Sequence, residues 1–402
     1  GKFDYGTDAG VLMCLDEKTG KVLYQYASPR LPRAEYLLDW PGASQCGSPL
    51  IEQDRLWFCN NRCEVICLDI GPLLTRTGKP KVVWKVDIRA EFGVVPRAVM
   101  IQSNASHCSV AGYQDLIYVN TTNSKGFKNV PAPNAPSLIC FQKMDGKVKW
   151  KDSSPGNNLI DVQHGSPLVM QVSGNPQVIM GQGDGWMRGF DALTGEVLWK
   201  FDFNLKTLPQ VKRMPFKGNN IVAMPVSHDG RVYFATGVHY ELGEVPGRLC
   251  CIDPTKRGDI SSEIIDSNGK VSPNPASGLF WEYLGANNRT PDLMHAALSS
   301  VVIHSGLVFA ADTSGVLHCV DAKTGKGIWT HDFMSYPMSS PLIVGNKVYA
   351  GAESTFCIFE LARQKKVLAE YELDFVLESG PVFANDVLYL MTRDKLTAIR
   401  ER

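Results

Sequence analysis

A short pattern recurs along this chain and limits the folds that it can adopt. It consists of an alternating strand, a turn of the type Asp-x-x-Thr-Gly, and a second alternating strand with an aromatic residue near its middle. Clear copies lie at residues 11–26, 138–152, 187–202 and 317–332. Alternation of apolar and polar residues is typical of strands, and the glycine supplies the positive φ of a tight hairpin turn. Two further strands precede most copies, so one repeat is a four-stranded antiparallel unit with strands a, b, c and d.

The number of repeats predicts the architecture. Strand c occurs eight times, near residues 11–15, 63–68, 137–142, 186–191, 248–252, 316–320, 355–359 and 395–400. Strands a, b and d occur seven times each. Sheets this small cannot bury both faces alone, whereas radial stacking buries them. We therefore expect an all-β fold, an eight-bladed β-propeller of four-stranded antiparallel blades, forming a single domain over residues 1–402.

Two alternatives to this architecture remain open. A seven-bladed propeller leaves strand 11–15 without a partner, and an open β-solenoid or sandwich would also fit a repeated strand pattern. In the eight-bladed arrangement, one d, one a and one b strand are missing. These N-terminal strands of the ring would precede residue 1, so a missing segment or a partner chain would complete the propeller.

Strand d carries an aromatic residue at one place in each repeat. The set comprises Tyr24, Trp84, Trp150, Trp199, Trp281, Trp329 and Tyr371. A residue that recurs at one position of a repeat serves the stacking of the repeats. The pattern therefore predicts a plug between neighbouring blades and not a stack that binds a cofactor.

These turns resemble the tryptophan-docking repeat of quinoprotein dehydrogenases, whose pattern is D-x-x-T-G-x-x-x-W. Asp191 to Trp199 and Asp321 to Trp329 match it at every position, and Asp16 to Tyr24 matches with Tyr in place of Trp. Over its full length the chain resembles the pyrroloquinoline-quinone (PQQ)-like propeller proteins of planctomycete-type bacteria. The resemblance implies an exported bacterial protein, periplasmic or otherwise extracytoplasmic. It says little about activity, because one fold supports many functions.

The charge balance and hydropathy argue against two classes of partner. Lys plus Arg and Asp plus Glu both count 41, so no overall charge attracts the chain to nucleic acid or to anionic lipid. No run of 18 apolar residues occurs, so we expect no membrane span. The first ten residues do not have the pattern of a signal peptide, and any such peptide would precede residue 1.

Cysteine is frequent, with 11 residues. Six are assigned to one place in strand c, where we expect reduced, buried and metal-free fillers: Cys14, Cys67, Cys140, Cys251, Cys319 and Cys357. The disulfide state of Cys46, Cys59, Cys63, Cys108 and Cys250 stays open, including a Cys59–Cys63 bridge. The adjacent pair Cys250-Cys251 is interpreted as part of a strand. It is not assigned to the vicinal disulfide that caps PQQ in quinoprotein alcohol dehydrogenases.

The longest insertions indicate which face carries function. In an up-and-down blade the b–c and d–a loops lie on one face, which opens on the central channel, and most long loops fall there. The exceptions are two c–d insertions on the opposite face, at 70–80 and 254–278. Polar and aromatic residues expected at the channel mouth are the candidate ligand-binding set: Arg62, His107, His164, Asp184, Trp186, His239, Asp312 and Glu353.

Two functions from different classes fit these observations. The first is a non-catalytic extracytoplasmic propeller that binds a partner protein or a small saccharide-like ligand and needs no cofactor and no metal. The alternative is a PQQ-dependent quinoprotein alcohol or sugar dehydrogenase with calcium. For that enzyme the resemblance implies calcium ligands, an Asp base, an Arg on the quinone and a Trp below it. Only Trp186 fits such a role. We therefore assign no catalytic residue and favour the binding protein.

Overall fold

The computed structural model describes most of the chain. The described ranges are 9–29, 47–96, 108–126, 129–160, 163–204, 221–237, 247–285, 293–335, 339–373, 376–377, 379–392 and 395–400. Within them lie strands β1 to β32, helices α1 (Gly71–Leu74) and α2 (Ile88–Phe92), and a 3-10 turn at Gly156–Asn158. The helices in these ranges are too short to cross a membrane.

The chain divides into two compact units, residues 1–184 with 188–198 and residues 185–187 with 199–402. The first unit begins with a two-stranded sheet, the N-terminal hairpin, of β1 (Ala9–Leu15) and β2 (Val22–Pro29). Two four-stranded sheets follow. The first contains β3 (Leu50–Glu52), β4 (Arg55–Cys59), β5 (Glu64–Asp69) and β6 (Lys81–Asp87). The second contains β7 (Ala111–Tyr113), β8 (Leu116–Asn120), β9 (Leu138–Gln142) and β10 (Val148–Asp152).

The next sheet has five strands, in the order β11-β12-β13-β14-β18. Its first four are β11 (Leu168–Val172), β12 (Asn175–Gly181), β13 (Trp186–Asp191) and β14 (Val197–Asp202). The following sheet contains β15 (Val226–His228), β16 (Arg231–Thr236), β17 (Arg248–Ile252) and β21 (Leu279–Tyr283). Between β17 and β21, β18 (Gly258–Asp259) joins the five-stranded sheet, and β19 (Glu263–Ile265) and β20 (Val271–Pro273) form a separate hairpin.

The remaining sheets all lie in the second unit. One contains β22 (Val302–His304), β23 (Leu307–Ala311), β24 (Val316–Asp321) and β25 (Gly327–Asp332). The next contains β26 (Leu342–Val344), β27 (Lys347–Ala352), β28 (Thr355–Glu360) and β29 (Val367–Glu372). The last has three strands, β30 (Val382–Ala384), β31 (Val387–Met391) and β32 (Leu396–Ile399).

The fold is an all-β propeller, as the repeats predicted, but it has seven blades. Six blades have strands a to d, and the seventh is the three-stranded sheet β30 to β32. The predicted eighth blade was wrong because a c strand was counted as a blade. The N-terminal hairpin has only β1 and β2 in its sheet. It buries its apolar side, with Leu12, Tyr24 and Tyr26, against the first four-stranded blade.

The c–d turns form for a local reason. In the turn after β13, the carboxylate of Asp191 accepts hydrogen bonds from the backbone N–H groups of Leu193 and Thr194. Gly195 follows with φ +79°, a conformation that disfavours side chains with a Cβ atom. The turn after β24 repeats this arrangement with Asp321 and Gly325. The sequence pattern therefore encodes the turn through one carboxylate and one glycine.

Aromatic residues of strand d lie on the next blade's turn. In the first unit, Nε1 of Trp150 donates to the carbonyl of Ala192 at 2.9 Å. A Cβ atom on Gly195 would lie 2.6 Å from the Trp150 ring. In the second unit, Trp281 donates to Ala322 at 3.1 Å and covers Gly325 in the same way. A glycine is therefore favoured in this turn for two reasons: it adopts the positive φ, and it leaves room for the indole of the neighbouring blade.

One blade departs from this register. In four blades and in the N-terminal hairpin, the strand-c cysteine or its counterpart pairs with the aromatic residue, as Cys319 does with Trp329. In those sheets a register shift directly follows the cysteine, whereas between β28 and β29 the shift follows Ile358, so Ile358 pairs with Ala369 while Cys357 pairs with Glu370. Tyr371 pairs with Phe356 and is 52% exposed. The assignment of Cys357 and Tyr371 to the shared repeat places was therefore wrong.

Candidate binding site at the b–c turns

Six of the eight candidate residues lie in the described ranges, whereas His107 and His239 lie outside them. Arg62, Asp184, Asp312 and Glu353 lie in turns between strands b and c, and Trp186 begins strand β13. His164 precedes β11 in a d–a loop. Each of them therefore lies at the predicted end of its own blade. Whether these positions bind a ligand stays a prediction.

Asp312 is held in a buried network and is not exposed for contact with a ligand. Nε2 of His318 lies 2.9 Å from its carboxylate, and the other ring nitrogen of His318 lies 3.1 Å from the hydroxyl of Tyr283. The backbone N–H of His295 donates to the same carboxylate at 2.9 Å. Burial alone would raise the pKa of Asp312, but the hydrogen bonds from His318, His295 and Ser314 hold it below its usual value. The network fixes the turn after β23.

Asp184 is the centre of a similar network in the first unit. Its carboxylate receives both terminal nitrogens of Arg188, at 3.1 and 2.7 Å. Arg188 also donates to the amide oxygen of Gln182, whose amide nitrogen donates to Asp152 at 3.0 Å. The Arg188 and Asp184 side chains are 9% and 2% exposed. A two-point guanidinium–carboxylate pair of this kind fixes geometry strongly.

Three of the other described candidates are closer to solvent. Nζ of Lys200 lies over the ring of Trp186, 4.6 Å from its centroid. The guanidinium of Arg62 donates to the carbonyl of Pro29 at 3.2 Å. The exposed Glu353 accepts a hydrogen bond from the hydroxyl of Ser335 at 2.8 Å. These three residues can therefore contact a partner, whereas Asp184 and Asp312 are buried and stabilise their turns through hydrogen bonds.

Sequence reasoning missed Arg188 and His318, although a signal for both was present. They occupy the place three residues before the turn residue of strand c, where the first two four-stranded blades have Ile66 and Ile139. A charged or titratable residue at a place that is apolar in sister repeats must have a buried partner. Comparison of the repeats would therefore have predicted the pairs with Asp184 and Asp312.

The ten cysteines in the described ranges are free, and Cys46 lies outside these ranges. No disulfide joins Cys59 and Cys63, and both are buried. Five of the six strand-c cysteines are buried, while Cys14 is partly exposed. Burial raises the pKa of Cys140 and of Cys319 to about 12. Such thiols stay protonated at neutral pH and are poor nucleophiles and metal ligands.

Trp186 is the residue that the sequence related to a PQQ site. Lys200 already occupies one face of its indole. Among the described residues, no three His, Cys, Asp or Glu side chains form a group that could hold a metal ion. The cofactor expectation, none with PQQ and calcium as the alternative, stays a prediction.

A family model described as outer membrane protein assembly factor BamB matches residues 69–255 and 279–402, which is most of the chain. The chain belongs to this BamB family of PQQ-like propellers. The crystal structure of BamB from Moraxella catarrhalis is similar with a TM-score of 0.62 at 14% identity, over 97% of this chain and 90% of that one. This likeness supports the propeller fold.

Two curated proteins share part of the sequence with this BamB-family chain. Outer membrane protein assembly factor BamB of Burkholderia pseudomallei is 24% identical over 271 residues, which are 62% of this chain. Tetrathionate hydrolase of Acidithiobacillus ferrooxidans is 22% identical over 271 residues, or 63% of this chain. The chain spans 65% of the length of the first protein and 45% of the second, less than two thirds of either.

Proposed function

We propose that this chain is a non-catalytic binding or scaffold protein of an extracytoplasmic compartment, and that a partner protein docks on its b–c turns. The observation that carries this proposal is the rigid support of those turns. Asp184 with Arg188 and Asp312 with His318 form buried pairs directly beneath them. Membership in the family of outer membrane protein assembly factor BamB supports a scaffold role and an extracytoplasmic location.

The physical argument rests on how buried polar networks behave. A network whose members are all hydrogen-bonded specifies one geometry, because each alternative conformation leaves a buried polar group without a partner. The turn fixed by Asp184 and Arg188 presents Trp186 to a partner with a small ordering cost on binding, and the b–c turn of another blade presents the exposed Glu353. A rigid, partly polar surface of this kind suits protein recognition.

Site-specific photo-crosslinking in the protein's own cell envelope tests the docking face. A photoreactive residue replaces Glu353 in the turn between strands b and c, and the matched control replaces Lys323 in the c–d turn at the opposite end of a blade in the same unit. We expect a discrete protein adduct from position 353 and none from position 323. Adducts of equal yield at both positions, or only at 323, would show that the b–c turns are not the docking face.

A dehydrogenase assay tests the non-catalytic half of the proposal. Purified full-length protein is incubated with PQQ and Ca²⁺, and dye reduction is measured with alcohols and sugars. Abstraction of hydride from an alcohol needs a base and a Lewis acid placed together on the quinone. We expect no PQQ-dependent dye reduction. Reduction that depends on PQQ and disappears in Trp186→Ala would favour the quinoprotein dehydrogenase instead.

A further inference from the structure

Charge is unevenly distributed along two neighbouring blades of the second unit. The fifth blade contains strands β22 to β25, and the sixth contains β26 to β29. Their a–b and c–d turns form the basic end of the two blades, residues 304–307, 321–327, 344–347 and 360–367. These residues include six Lys and Arg but only two Asp and Glu, a net charge of +4. The basic residues are Lys323, Lys326, Lys347, Arg363, Lys365 and Lys366.

The opposite end of the same two blades is acidic. Its b–c turns and the last residues of its d strands include Asp312, Asp332, Glu353 and Glu372. The described residues of these turns, and of the d–a loops that follow β25 and β29, include no Lys or Arg. The two blades therefore carry a charge gradient along their strands. Such a gradient orients the blades on an anionic surface, with the b–c turns directed away from it.

The two c–d turns of the basic end are in direct contact. Nη2 of Arg363 lies 2.7 Å from the carboxylate of Asp321. Nζ of Lys365, in the sixth blade, donates to the backbone carbonyl of Thr330, in the fifth blade, at 3.0 Å. A carbonyl is a neutral acceptor, so the charge of Lys365 is not neutralised by this bond. The turns therefore present their cations as one array.

Two further lysines of this array have no acidic partner. The side chains of Lys323 and Lys326 are exposed and form no salt bridge with the described residues. Lys366, in contrast, lies 2.8 Å from the carboxylate of Glu360. A lysine is a point charge on a flexible stem. Unpaired lysines of this kind suit a fluid surface, because each can reach an anionic group without a fixed geometry.

The excess charge is not a general property of the repeat. The turn at residues 321–326 has the sequence Asp-Ala-Lys-Thr-Gly-Lys, and the N-terminal hairpin has Asp-Glu-Lys-Thr-Gly-Lys at residues 16–21. The corresponding turns of the hairpin and the first four-stranded blade are residues 16–22, 52–55 and 69–81. They include six Lys and Arg but also five Asp and Glu, a net charge of +1. The basic end therefore differs from an equivalent pair of turns in the first unit.

Two apolar side chains border the lysines. Val367 and Leu368 begin strand β29 and are 40% and 41% exposed. Basic residues beside exposed aliphatic side chains are typical of protein surfaces in the headgroup region of a membrane. There the cations approach lipid phosphates and the apolar groups leave water. This combination favours a lipid surface over an acidic protein as the partner of the basic end.

We propose that the basic end binds a membrane surface that contains anionic lipid. Lys323, Lys326 and Lys365 contact lipid phosphates, Val367 and Leu368 enter the headgroup region, and the acidic end faces away. Each Lys or Arg near such a surface strengthens binding by about fivefold. The chain as a whole has no net charge, so the attraction is local and acts within about a Debye length. It requires no docking partner, so this proposal and the proposed function can fail separately.

Flotation of the full chain with lipid vesicles tests the basic end. The vesicles contain phosphatidylcholine alone or with about 30 mol% phosphatidylglycerol, at about 50 and about 300 mM NaCl. We expect binding to the phosphatidylglycerol vesicles at low salt, and binding about tenfold weaker or less at high salt or on phosphatidylcholine alone. Failure to bind, or binding that depends on neither phosphatidylglycerol nor salt, would overturn the proposal.

Two double variants separate the basic end from a general charge effect. Lys323→Glu with Lys326→Glu should lower the vesicle partition coefficient by about tenfold or more. Lys18→Glu with Lys21→Glu makes the same change in net charge at the same turn positions of the N-terminal hairpin, and should lower it by less than about threefold. All four lysines are exposed, so neither variant removes a buried contact. Equal losses in the two variants would contradict the assignment to the basic end.

Photo-crosslinking tests the orientation on the vesicles. Gln364 is exposed and neutral and lies between Arg363 and Lys365, so a photoreactive residue there leaves the cations intact. We expect a lipid adduct from position 364 and none from position 353, at the acidic end. Lipid adducts of equal yield would overturn the orientation. A protein adduct from position 364 in the cell envelope, together with no vesicle binding, would identify an acidic protein as the partner and overturn the lipid proposal.

Discussion

Trp281 packs on Gly325, and this contact joins two neighbouring blades of the second unit. A Cβ atom on Gly325 would lie 2.6 Å from the Trp281 ring, and its φ is +72°. Gly345 also has positive φ, +57°, but no atom lies within 4 Å of such a Cβ. Substitutions at Gly325 and at Gly345 can therefore be compared to separate the cost of backbone strain from the cost of lost indole packing.

We predict that Gly345→Ala costs about 1–2 kcal/mol of unfolding free energy, the usual strain of a left-handed residue. Gly325→Ala should cost clearly more, because the added methyl displaces the Trp281 ring and breaks its bond to Ala322. Denaturant unfolding of both variants measures the difference. Equal costs would mean that the indole contact contributes nothing beyond the turn.

Asp321 gives a second residue-scale prediction, on pH. The hydrogen bond from Arg363 is the main reason that the pKa of Asp321 falls to about 2 from its ordinary value of 3.8. A carboxyl group whose folded pKa is depressed stabilises the fold fully above its unfolded pKa and loses that contribution as pH falls. The stability advantage of wild type over Asp321→Asn should therefore be constant above about pH 5.

Between about pH 4 and pH 2 that advantage should shrink, since the protonated Asp321 then resembles asparagine. Arg363→Met should show the same trend, because it removes the cation that lowers the pKa. Denaturant unfolding at a series of pH values measures both. An advantage that stays unchanged down to pH 2 would argue against the ion pair.

At the scale of elements, β18 protects the outer edge of the five-stranded blade. It pairs in parallel with β14, and the N–H of Ile260 extends this pairing to the carbonyl of Lys200. An unpaired edge strand invites pairing with another chain. The c–d insertion at 254–278 therefore has a structural role in this blade, apart from any role in binding.

Two isoleucines of this insertion test that role. Ile260 is fully buried beside β18, whereas Ile265 in the β19–β20 hairpin is 52% exposed. We predict that Ile260→Ala costs ~2–4 kcal/mol through lost burial and a cavity, and that Ile265→Ala changes stability by less than about 0.5 kcal/mol. Thermal and denaturant unfolding give both values. Similar costs at the two positions would show that β18 is not anchored by Ile260.

The repeat predicted most elements well because strand alternation and turn chemistry are local. The copy at 187–202 corresponds to β13, its Asp191 turn and β14. Pairing over long distances was not predictable in this way. The two-residue strand β18 has no local pattern. The bulge that follows the cysteine in other blades, as at Cys319, follows Ile358 in the blade of β28 and β29, and the sequence does not show this displacement by one residue. The eighth blade was wrong for the same reason, because counting strands does not show which strands share a sheet.

The candidate site was predicted only in part, for a related physical reason. The sequence placed Asp184 and Asp312 at the correct ends of their blades, but it could not show that Arg188 and His318 bury them. Burial depends on which neighbour packs above a turn, and that neighbour comes from another strand.

At the scale of the whole molecule, two tryptophans of the same blade should behave in opposite ways. Trp199 is fully buried, while Trp186 is partly exposed at the b–c turn. We predict that Trp199→Ala costs ~3–5 kcal/mol of unfolding free energy through lost core packing. Trp186→Ala should leave the fold nearly as stable as wild type. Unfolding curves of the two variants that coincide would contradict this division of roles.

The yield of the adduct from position 353, measured in a Trp186→Ala protein together with its unfolding temperature, tests the binding function most directly. If the b–c turns hold a partner, the adduct falls sharply while the unfolding temperature stays within a few degrees of wild type. An adduct of unchanged yield would show that Trp186 takes no part in docking. The central claim would be contradicted by the absence of any adduct at position 353 in the wild-type envelope.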